Sequence, residues 1–438
     1  MTSMTFLTRI LIVLCSLTTA AHFLRFGTLW EAAPALFPAV AAFFPRLLPR
    51  PLLILAALGG ALLWANQGVE LASWRMNFGL PWMRLALILG AVCLAHLGLA
   101  ALMAGRAGKE LFGPMGGTDA VKTATALLVG GTLVLAQNKA PMTLLLGDRF
   151  FPGSGIFWIC LFAFHGTLVA GWLLSDRKGR TRGRIWTLFS AVFFAQLLLG
   201  LAGWSIFLMT GKLHLPVPAL ILAGPLFRGE GFFMPILLGV SLLLVGPAWC
   251  SHLCYIGAWD DRMARLGPAR PVPLPSWAPR LRAGLLAATV IMPLVLRALD
   301  ISWPWALGLA AVFGLAGVMV MALASRGSGT MVHCTAYCPI GLVNNLIGRM
   351  LPWRVSIGSG CTQCGACARA CRYNALTAID LAKGRPGLTC SLCGDCLPRC
   401  PHGHLGYSFP GLTRARARQV FVTLVASLHV VFLAVARI

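Results

Sequence analysis

Apolar stretches about as long as a membrane crossing recur along the whole chain, separated by polar loops. Eleven of them are predicted helices, over residues 5–23, 28–44, 51–66, 83–104, 119–137, 155–174, 185–209, 231–249, 283–299, 305–325 and 419–436. About 20 apolar residues in a helix cross the hydrocarbon core of a bilayer. The pattern therefore predicts an all-α polytopic membrane bundle of about eleven transmembrane helices. The second stretch is short and contains Pro34 and Pro38.

The charge of the polar loops predicts an orientation in the membrane. Lys and Arg number 36 against 12 Asp and Glu, and the positive residues collect in alternate loops, such as 176–184. Short cytoplasmic loops carry such an excess. We therefore predict a multi-pass protein of the bacterial cytoplasmic (inner) membrane, surrounded by lipid, with its N-terminus inside. If the second stretch does not span, only the N-terminus changes side. Because the charge follows the loops, nucleic acid is not an expected partner.

Composition divides the chain into four predicted domains. Residues 1–184 contain about six helices, and residues 185–325 form a second transmembrane region. Residues 326–417 are rich in Cys, Gly and Arg and form the longest loop, and residues 418–438 form the last helix. The 326–417 loop is long enough for a small soluble module, which the charge pattern puts on the cytoplasmic side.

Two cysteine runs in that loop predict iron–sulfur clusters. They read CTQCGACARAC (361–371) and CSLCGDCLPRCP (390–401), each with the spacing C-x2-C-x2-C-x3-C. In two-cluster ferredoxins the fourth cysteine of each run binds the other cluster. A ferredoxin-like module with two [4Fe-4S] clusters is therefore predicted, one on Cys361, Cys364, Cys367 and Cys400, the other on Cys371, Cys390, Cys393 and Cys396. Zinc is the alternative metal for C-x2-C pairs.

Arg372 stands where the usual pattern has a proline after the fourth cysteine of the run. A guanidinium near a cluster favours the more negative, reduced state. We therefore expect Arg372 to raise the reduction potential of that cluster.

Two further cysteine pairs follow apolar stretches, 84 positions apart. WCSHLCYIGA contains Cys250 and Cys254, and HCTAYCPIGL contains Cys334 and Cys338, with Ile-Gly at the same offset. Cysteines at i and i+4 share one face of a helix end. The four thiols are a candidate ligand set for a third iron–sulfur cluster. Redox dithiols or disulfides, a copper(I) site and two reduced buried pairs are the alternatives.

Histidines in or near the apolar stretches are further candidates. His96, His165 and His429 lie within predicted helices, where ionisable groups often have a function. A b-type haem is one interpretation, and a neutral histidine hydrogen-bonded between helices is the favoured one. His252 and His333 adjoin the C-x3-C pairs and are candidates for a hydrogen bond to a cluster sulfide or for carrying quinol protons.

The predicted outer loop 210–230 is a candidate quinone site. It contains Lys212, His214, Arg228 and Glu230, and Trp204 lies nearby. A quinone head group needs hydrogen-bond partners and a proton acceptor, which these residues offer. Ordinary solvation of a polar loop is the favoured alternative.

The order of these motifs resembles the membrane polyferredoxins of the NapH, NosR and CcoG type. The resemblance rests on CSHLCYIGAWD, CTAYCPIG and the two cysteine runs, and it covers about residues 185–405. It implies electron transfer between the quinone pool or a membrane partner and a redox protein, as in a quinol dehydrogenase subunit. Two features depart from the family pattern: Tyr255 replaces proline after the first pair, and six helices precede the matched region.

Two other classes of function remain open from the sequence. In a metal-centre maturation factor, ferredoxin electrons would reduce copper or a disulfide, with the C-x3-C thiols as the working residues. In a redox-sensing regulator, the clusters would report a redox state rather than transfer electrons.

Overall fold

The computed structural model describes residues 3–175, 178–207 and 215–435. Within these ranges, ten helices are long and apolar enough to cross a membrane. They are Ser3–Arg25, Arg50–Asn77, Met83–Ala104, Gly117–Lys139, Gly155–Leu174, Thr181–Leu201, Phe233–His252, Ala278–Ala298, Trp303–Ser328 and Arg414–Val435. The prediction of a helical chain with many membrane-length spans is therefore confirmed. The predicted domain limits stay predictions.

The second predicted span is wrong. Its residues form two helices of seven residues each, Leu29–Ala35 and Phe37–Phe43, and neither is long enough to cross a bilayer. Pro34 lies inside the first, and Pro38 lies in the first turn of the second. Proline lacks the N–H that a continuous helix requires at these positions.

The chain divides into two compact units, one ending at Gly171 and one beginning at Trp172. The helices that begin in the N-terminal unit are α1 Ser3–Arg25, α2 Leu29–Ala35, α3 Phe37–Phe43, α4 Arg50–Asn77, α5 Met83–Ala104, α6 Arg106–Phe112, α7 Gly117–Lys139, α8 Leu146–Phe150 and α9 Gly155–Leu174. Small residues let these helices approach closely. A Cβ at Gly60 of α4 would clash with the His96 ring on α5.

The C-terminal unit contains the remaining helices and one small sheet. The helices are α10 Lys178–Leu201, α11 Leu220–Arg228, α12 Phe233–Val245, α13 Trp249–His252, α14 Tyr255–Leu266, α15 Ala278–Ala298, α16 Trp303–Met319, α17 Arg326–Ser328, α18 Pro339–Met350, α19 Ala378–Ala382 and α20 Arg414–Val435. Strands β1 (Arg354–Ile357) and β2 (Leu405–Ser408) pair antiparallel. Both cysteine runs lie between these strands, so the strand pair brings the two ends of the cysteine-rich segment together.

Candidate functional site

The two cysteine runs fold into loops with the same backbone shape. The residue before the second cysteine has a positive φ, 55° at Gln363 and 54° at Leu392. The glycine after that cysteine has φ 71° at Gly365 and 75° at Gly394. Loops that combine left-handed and right-handed residues turn successive N–H groups inward and form a concave anion site. The backbone of both loops therefore fits an anionic group such as a cluster with its sulfides.

Each loop brings three thiols of its own run together with the fourth thiol of the other run. The first pocket is lined by the outer set, Cys361, Cys364, Cys367 and Cys400. The second pocket is lined by the inner set, Cys371, Cys390, Cys393 and Cys396. These are the groupings that the spacing predicts. That each set binds a cluster stays a prediction.

The two sets differ in their access to solvent. Burial raises the pKa of Cys390 and Cys396, and it raises that of Cys393 to about 12. In the outer set, Cys364 is exposed. The pKa of Cys400 is lowered. Its slight burial acts to raise the pKa, but N–H groups of residues 402–405 donate to its sulfur and together outweigh that effect.

Each C-x3-C pair lies across a break between two helices, and not on one helix end as the sequence predicted. Cys254 and Cys338 are extended, with ψ 114° and 118°, and α14 or α18 begins at the next residue. The first N–H groups of a helix have no partner within it. Here they donate to sulfur: the second and third residues after Cys254 and after Cys338 each hydrogen-bond the preceding thiol. Tyr255 stands where the second pair has Pro339, and its ring stacks on Phe193 with the ring centroids 3.9 Å apart.

The repeated Ile-Gly closes each break. A Cβ at Gly257 would lie 2.9 Å from the carbonyl oxygen of Cys250, and one at Gly341 would lie 2.9 Å from that of Cys334. A contact shorter than 3.0 Å to backbone forces the chain to shift. Glycine therefore lets the new helix turn back against the first cysteine of its own pair, in the same way in both pairs. We call each pair together with the helix that follows it a copy: the first copy is residues 250–266 and the second is residues 334–350.

The two copies interlock through equivalent side chains, ten residues after the first cysteine of each pair. Asp260 of the first copy accepts a hydrogen bond from the Cys334 N–H at 2.9 Å. Asn344 of the second copy donates from Nδ2 to Cys250 Sγ at 2.9 Å. Burial, then Asp260, then the other three thiols raise the pKa of Cys334, so all four thiols share one region. We call Cys250, Cys254, Cys334 and Cys338 the interlocked set.

A buried cation distinguishes the second copy from the first. In the first copy Trp186 Nε1 donates to the Cys254 carbonyl at 2.8 Å. In the second copy Arg282 occupies that place, with Nε donating to the Cys338 carbonyl at 3.3 Å and Nη2 to the Cys334 carbonyl at 2.7 Å. Arg282 is 2% exposed, and its Nη1 has no hydrogen-bond partner. No carboxylate pairs with it in the described residues. An unpaired buried charge is strongly unfavourable, so this arrangement fits an anionic group among the thiols.

The spacing of the thiols argues against a single zinc ion. In the described ranges, the only three ligand atoms within 4.8 Å of one another belong to Asp260, His333 and Cys334. Four thiolates around zinc, at about 2.3 Å from the metal, would place their sulfurs about 3.8 Å apart. None of the three cysteine sets is that compact. A cubane cluster is larger than one ion and does not require such close sulfurs.

Hydrogen bonds hold the loop that contains Cys390, Cys393 and Cys396 against the interlocked set, and both copies take part in them. Buried Arg182 donates to Asp395 from Nε and Nη2 at 2.9 and 2.7 Å, and from Nη1 to the Ser251 carbonyl at 2.9 Å. Arg265 adds an ion pair to Asp395 at 2.9 Å. From the second copy, Asn345 donates to a carbonyl of the same loop at 2.6 Å. The position of the inner set is therefore fixed from two sides.

One hydrophobic cluster contacts both sets. Its members include Trp186 and Tyr373, and Cys334 packs against it together with Cys371 and Cys393. Both Cys334 and Cys393 raise the pKa of buried Tyr373, after burial itself, which is the largest cause. The interlocked and inner sets therefore share a water-poor boundary, whereas the outer set lies towards solvent.

Arg372, which follows the fourth cysteine of the first run, hydrogen-bonds to backbone carbonyls. Its Nη1 donates to the carbonyls of Ala264 and Gly329 at 2.8 and 2.6 Å. Burial is the main cause that lowers its pKa. The side chain therefore joins α14 to the loop at Gly329, and its expected effect on a reduction potential stays a prediction.

Two of the histidines in the predicted spans, His96 and His429, hydrogen-bond to groups of the protein. His96 Nδ1 donates to the Val92 carbonyl at 2.9 Å, and its Nε2 lies 3.2 Å from Thr19 Oγ1. His429 Nδ1 donates to the His252 carbonyl at 2.8 Å. His165 is half-buried. These bonds are typical of neutral histidines packed between helices, and haem ligation stays a prediction.

His333 is buried, and burial followed by Arg282 lowers its pKa to about 4. Of the predicted quinone loop, Lys212 and His214 lie outside the described residues. Arg228, Glu230 and Trp204 are exposed. The quinone site stays a prediction.

Sequence reasoning missed the residues that support the thiols. Asp260 and Asn344 occupy the same offset in the two copies, which an alignment of the copies beyond Ile-Gly would have revealed. In the sequence, Arg282 stands just before an apolar stretch, as the arginine of a solvated loop would. Nothing in the sequence separates a solvated loop arginine from a buried one.

A family model described as "4Fe-4S binding domain" matches residues 230–273 and 307–358. The two matched segments contain both C-x3-C pairs and end before the first cysteine run. No curated protein and no solved structure matches the chain. The chain is therefore an iron–sulfur protein by this match. The narrower resemblance to the NapH, NosR and CcoG type has no matching relative and stays a prediction.

Proposed function

We propose that the chain is an integral membrane electron-transfer protein, which exchanges electrons between the quinone pool or a membrane partner and a redox protein. One observation carries the proposal: the segments matched by the 4Fe-4S binding domain contain the two copies whose thiols form the interlocked set. A [4Fe-4S] cluster supplies one-electron oxidation and reduction when bound. The quinone role comes from the resemblance alone.

The residues of each set have distinct tasks in this proposal. The interlocked, inner and outer sets each supply four thiolates, and their burial excludes water to different degrees. Helix N–H groups and the Asn344 amide donate to sulfur in the interlocked set, and Arg282 offsets its negative charge. Donors to sulfur and nearby cations are what tunes such centres. The arginine-rich loops favour the cytoplasmic side for the inner and outer sets. With ten spans, the same loops put the N-terminus outside.

Iron and acid-labile sulfide content test the proposal. Purified protein should contain about twelve irons and twelve sulfides per chain, four for each set. Cys334→Ser should lose about four of each. Cys160→Ser, which changes a cysteine outside all three sets, is the control and should lose none. About eight irons, unchanged by Cys334→Ser, would refute a cluster on the interlocked set, and zinc without sulfide would refute the proposal.

A metal-handling factor is the second candidate function. The trio Asp260, His333 and Cys334 favours it, because its three ligand atoms lie within 4.8 Å of one another. Such mixed ligands suit a single ion such as zinc or copper. One bound ion without sulfide at this site, lost in His333→Gln and Cys334→Ser, would establish this alternative.

A further inference from the structure

The outer set lies at the protein surface. Of the fifteen cysteines, all within the described part of the chain, Cys364 alone is exposed. The residues just before it, Thr362 and Gln363, are exposed as well. His402 lines the outer pocket and is exposed too. A partner protein can therefore approach this set more closely than the inner or interlocked set.

The exposed charged side chains around the outer set are all positive. Between residues 358 and 412 they are Arg369, Lys383, Arg385 and Arg399. The two carboxylates of this segment are engaged within the protein. Asp380 accepts from the N–H and hydroxyl of Thr377 at 2.9 and 2.7 Å. Asp395 pairs with Arg182 and Arg265. No exposed carboxylate offsets the positive charge of this segment.

Three of the four cations are tied to the outer pocket by chain position or contact. The Arg369 guanidinium lies 3.8 Å from where a Cβ on Gly365 would stand, directly after Cys364. Arg399 immediately precedes Cys400. Lys383 follows α19, whose Leu381 lines the pocket. Positive charge therefore lies on the segments that form the outer pocket, with Arg369 beside the turn that follows the exposed thiol.

We propose that Arg369, Lys383, Arg385 and Arg399, together the basic face, form the docking surface for a small acidic one-electron carrier protein. The inference rests on the proposed function, because docking serves electron exchange only if the outer set holds a redox centre. Opposite charge on two partners speeds their encounter and orients them. Anionic lipid would also be attracted by basic residues. The exposed thiol beside the basic face favours a protein partner, since a lipid head group has no use for a redox centre.

The test measures binding of a flavodoxin of net negative charge to full-length protein in nanodiscs of neutral lipid. Binding is recorded at about 50 mM and about 300 mM salt, where screening differs strongly. The triple variant Arg369→Glu, Lys383→Glu, Arg399→Glu should weaken binding by about tenfold or more at low salt. The control triple Arg262→Glu, Arg270→Glu, Arg280→Glu changes exposed arginines outside the segment and should have little effect. A basic cytochrome c should not bind.

Iron content and the EPR signal of each variant are measured first. Because Arg399 adjoins a predicted ligand, the double variant Lys383→Glu, Arg385→Glu provides a second test with intact ligand neighbours. Wild-type protein without clusters would overturn the proposed function and this inference together. Loaded protein that binds flavodoxin independently of salt, or equally in both triples, would overturn the inference alone. Protection of Lys383 from an amine-reactive label in anionic but not in neutral nanodiscs would assign the basic face to the membrane and overturn the inference as well.

Discussion

Removing the charge of Arg282 should make the interlocked set harder to reduce. The guanidinium is buried, without a carboxylate partner in the described residues, and it donates to the carbonyls of Cys334 and Cys338. Reduction adds a negative charge, which a nearby cation stabilises. Arg282→Gln keeps a donor in place but removes the charge. We therefore expect a more negative reduction potential for the cluster that this set binds.

The geometry gives the size of the effect. Hydrogen bonds of 2.7 and 3.3 Å to two cysteine carbonyls put the guanidinium about 7 Å from the sulfurs, by covalent dimensions. A unit charge at about 7 Å and an effective dielectric constant of about 20 contributes about 2 kcal/mol to a one-electron reduction. That free energy corresponds to a downward shift of about 100 mV.

An EPR-monitored redox titration of the purified protein measures this shift. Arg280→Gln is the matched control, because Arg280 lies on the same helix and is exposed. Arg282→Lys keeps the charge and should retain most of the wild-type potential. The reasoning is refuted if Arg282→Gln shifts the potential no more than Arg280→Gln, or shifts it upward.

Three other experiments test the residues that support the thiols and the reactivity of the thiols themselves. Arg182→Met removes a partner from buried carboxylates and should lower the free energy of unfolding by about 3–5 kcal/mol in denaturant titrations. Gly341→Ala puts a methyl 2.9 Å from the Cys334 carbonyl oxygen and should reduce iron and sulfide content. In metal-stripped protein, iodoacetamide should modify Cys400 before Cys367 at neutral pH, by mass spectrometry. The lowered pKa of Cys400 gives more reactive thiolate, whereas burial raises the pKa of Cys367.

Each of these predictions has a control on the same chain. Arg184→Met, at an exposed position on the Arg182 helix, should leave stability nearly unchanged. Gly284→Ala has open space for its methyl and should retain full iron. In denaturant, the two labelled cysteines should react at similar rates. Equal losses in a variant and its control, or faster labelling of Cys367, would contradict the corresponding prediction.

The grouping of the outer and inner thiols could be predicted because it depends on local spacing. Steps of two residues between cysteines leave a loop room to gather three thiols around one centre. The fourth must then come from elsewhere in the chain, and the ferredoxin pattern says from where. The helical spans were equally accessible, because each needs only a continuous apolar run. Pro34 and Pro38 are also visible in the sequence, and they explain why the second stretch forms two short helices instead of one span.

The interlocked set could be predicted only as four thiols. The sequence places Pro339 after Cys338 but Tyr255 after Cys254, so a shared helix break after both cysteines was not apparent. The break is stabilised locally by helix N–H groups that donate to sulfur, but the contacts of Asp260 and Asn344 that join the two pairs are tertiary. Arg282 shows the same difficulty, since its burial depends on packing against residues more than fifty positions away.

The crossing contacts of Asp260 and Asn344 have a consequence for how the protein is made. A nascent chain that has completed only the first copy carries two of the four thiols, and Asp260 still lacks its partner N–H on Cys334. The third and fourth thiols, and the amide of Asn344, enter only after a further pair of spans has been inserted. The site therefore cannot be loaded during synthesis of the first copy. A filled interlocked set is evidence that both halves of this unit have been inserted and have found each other.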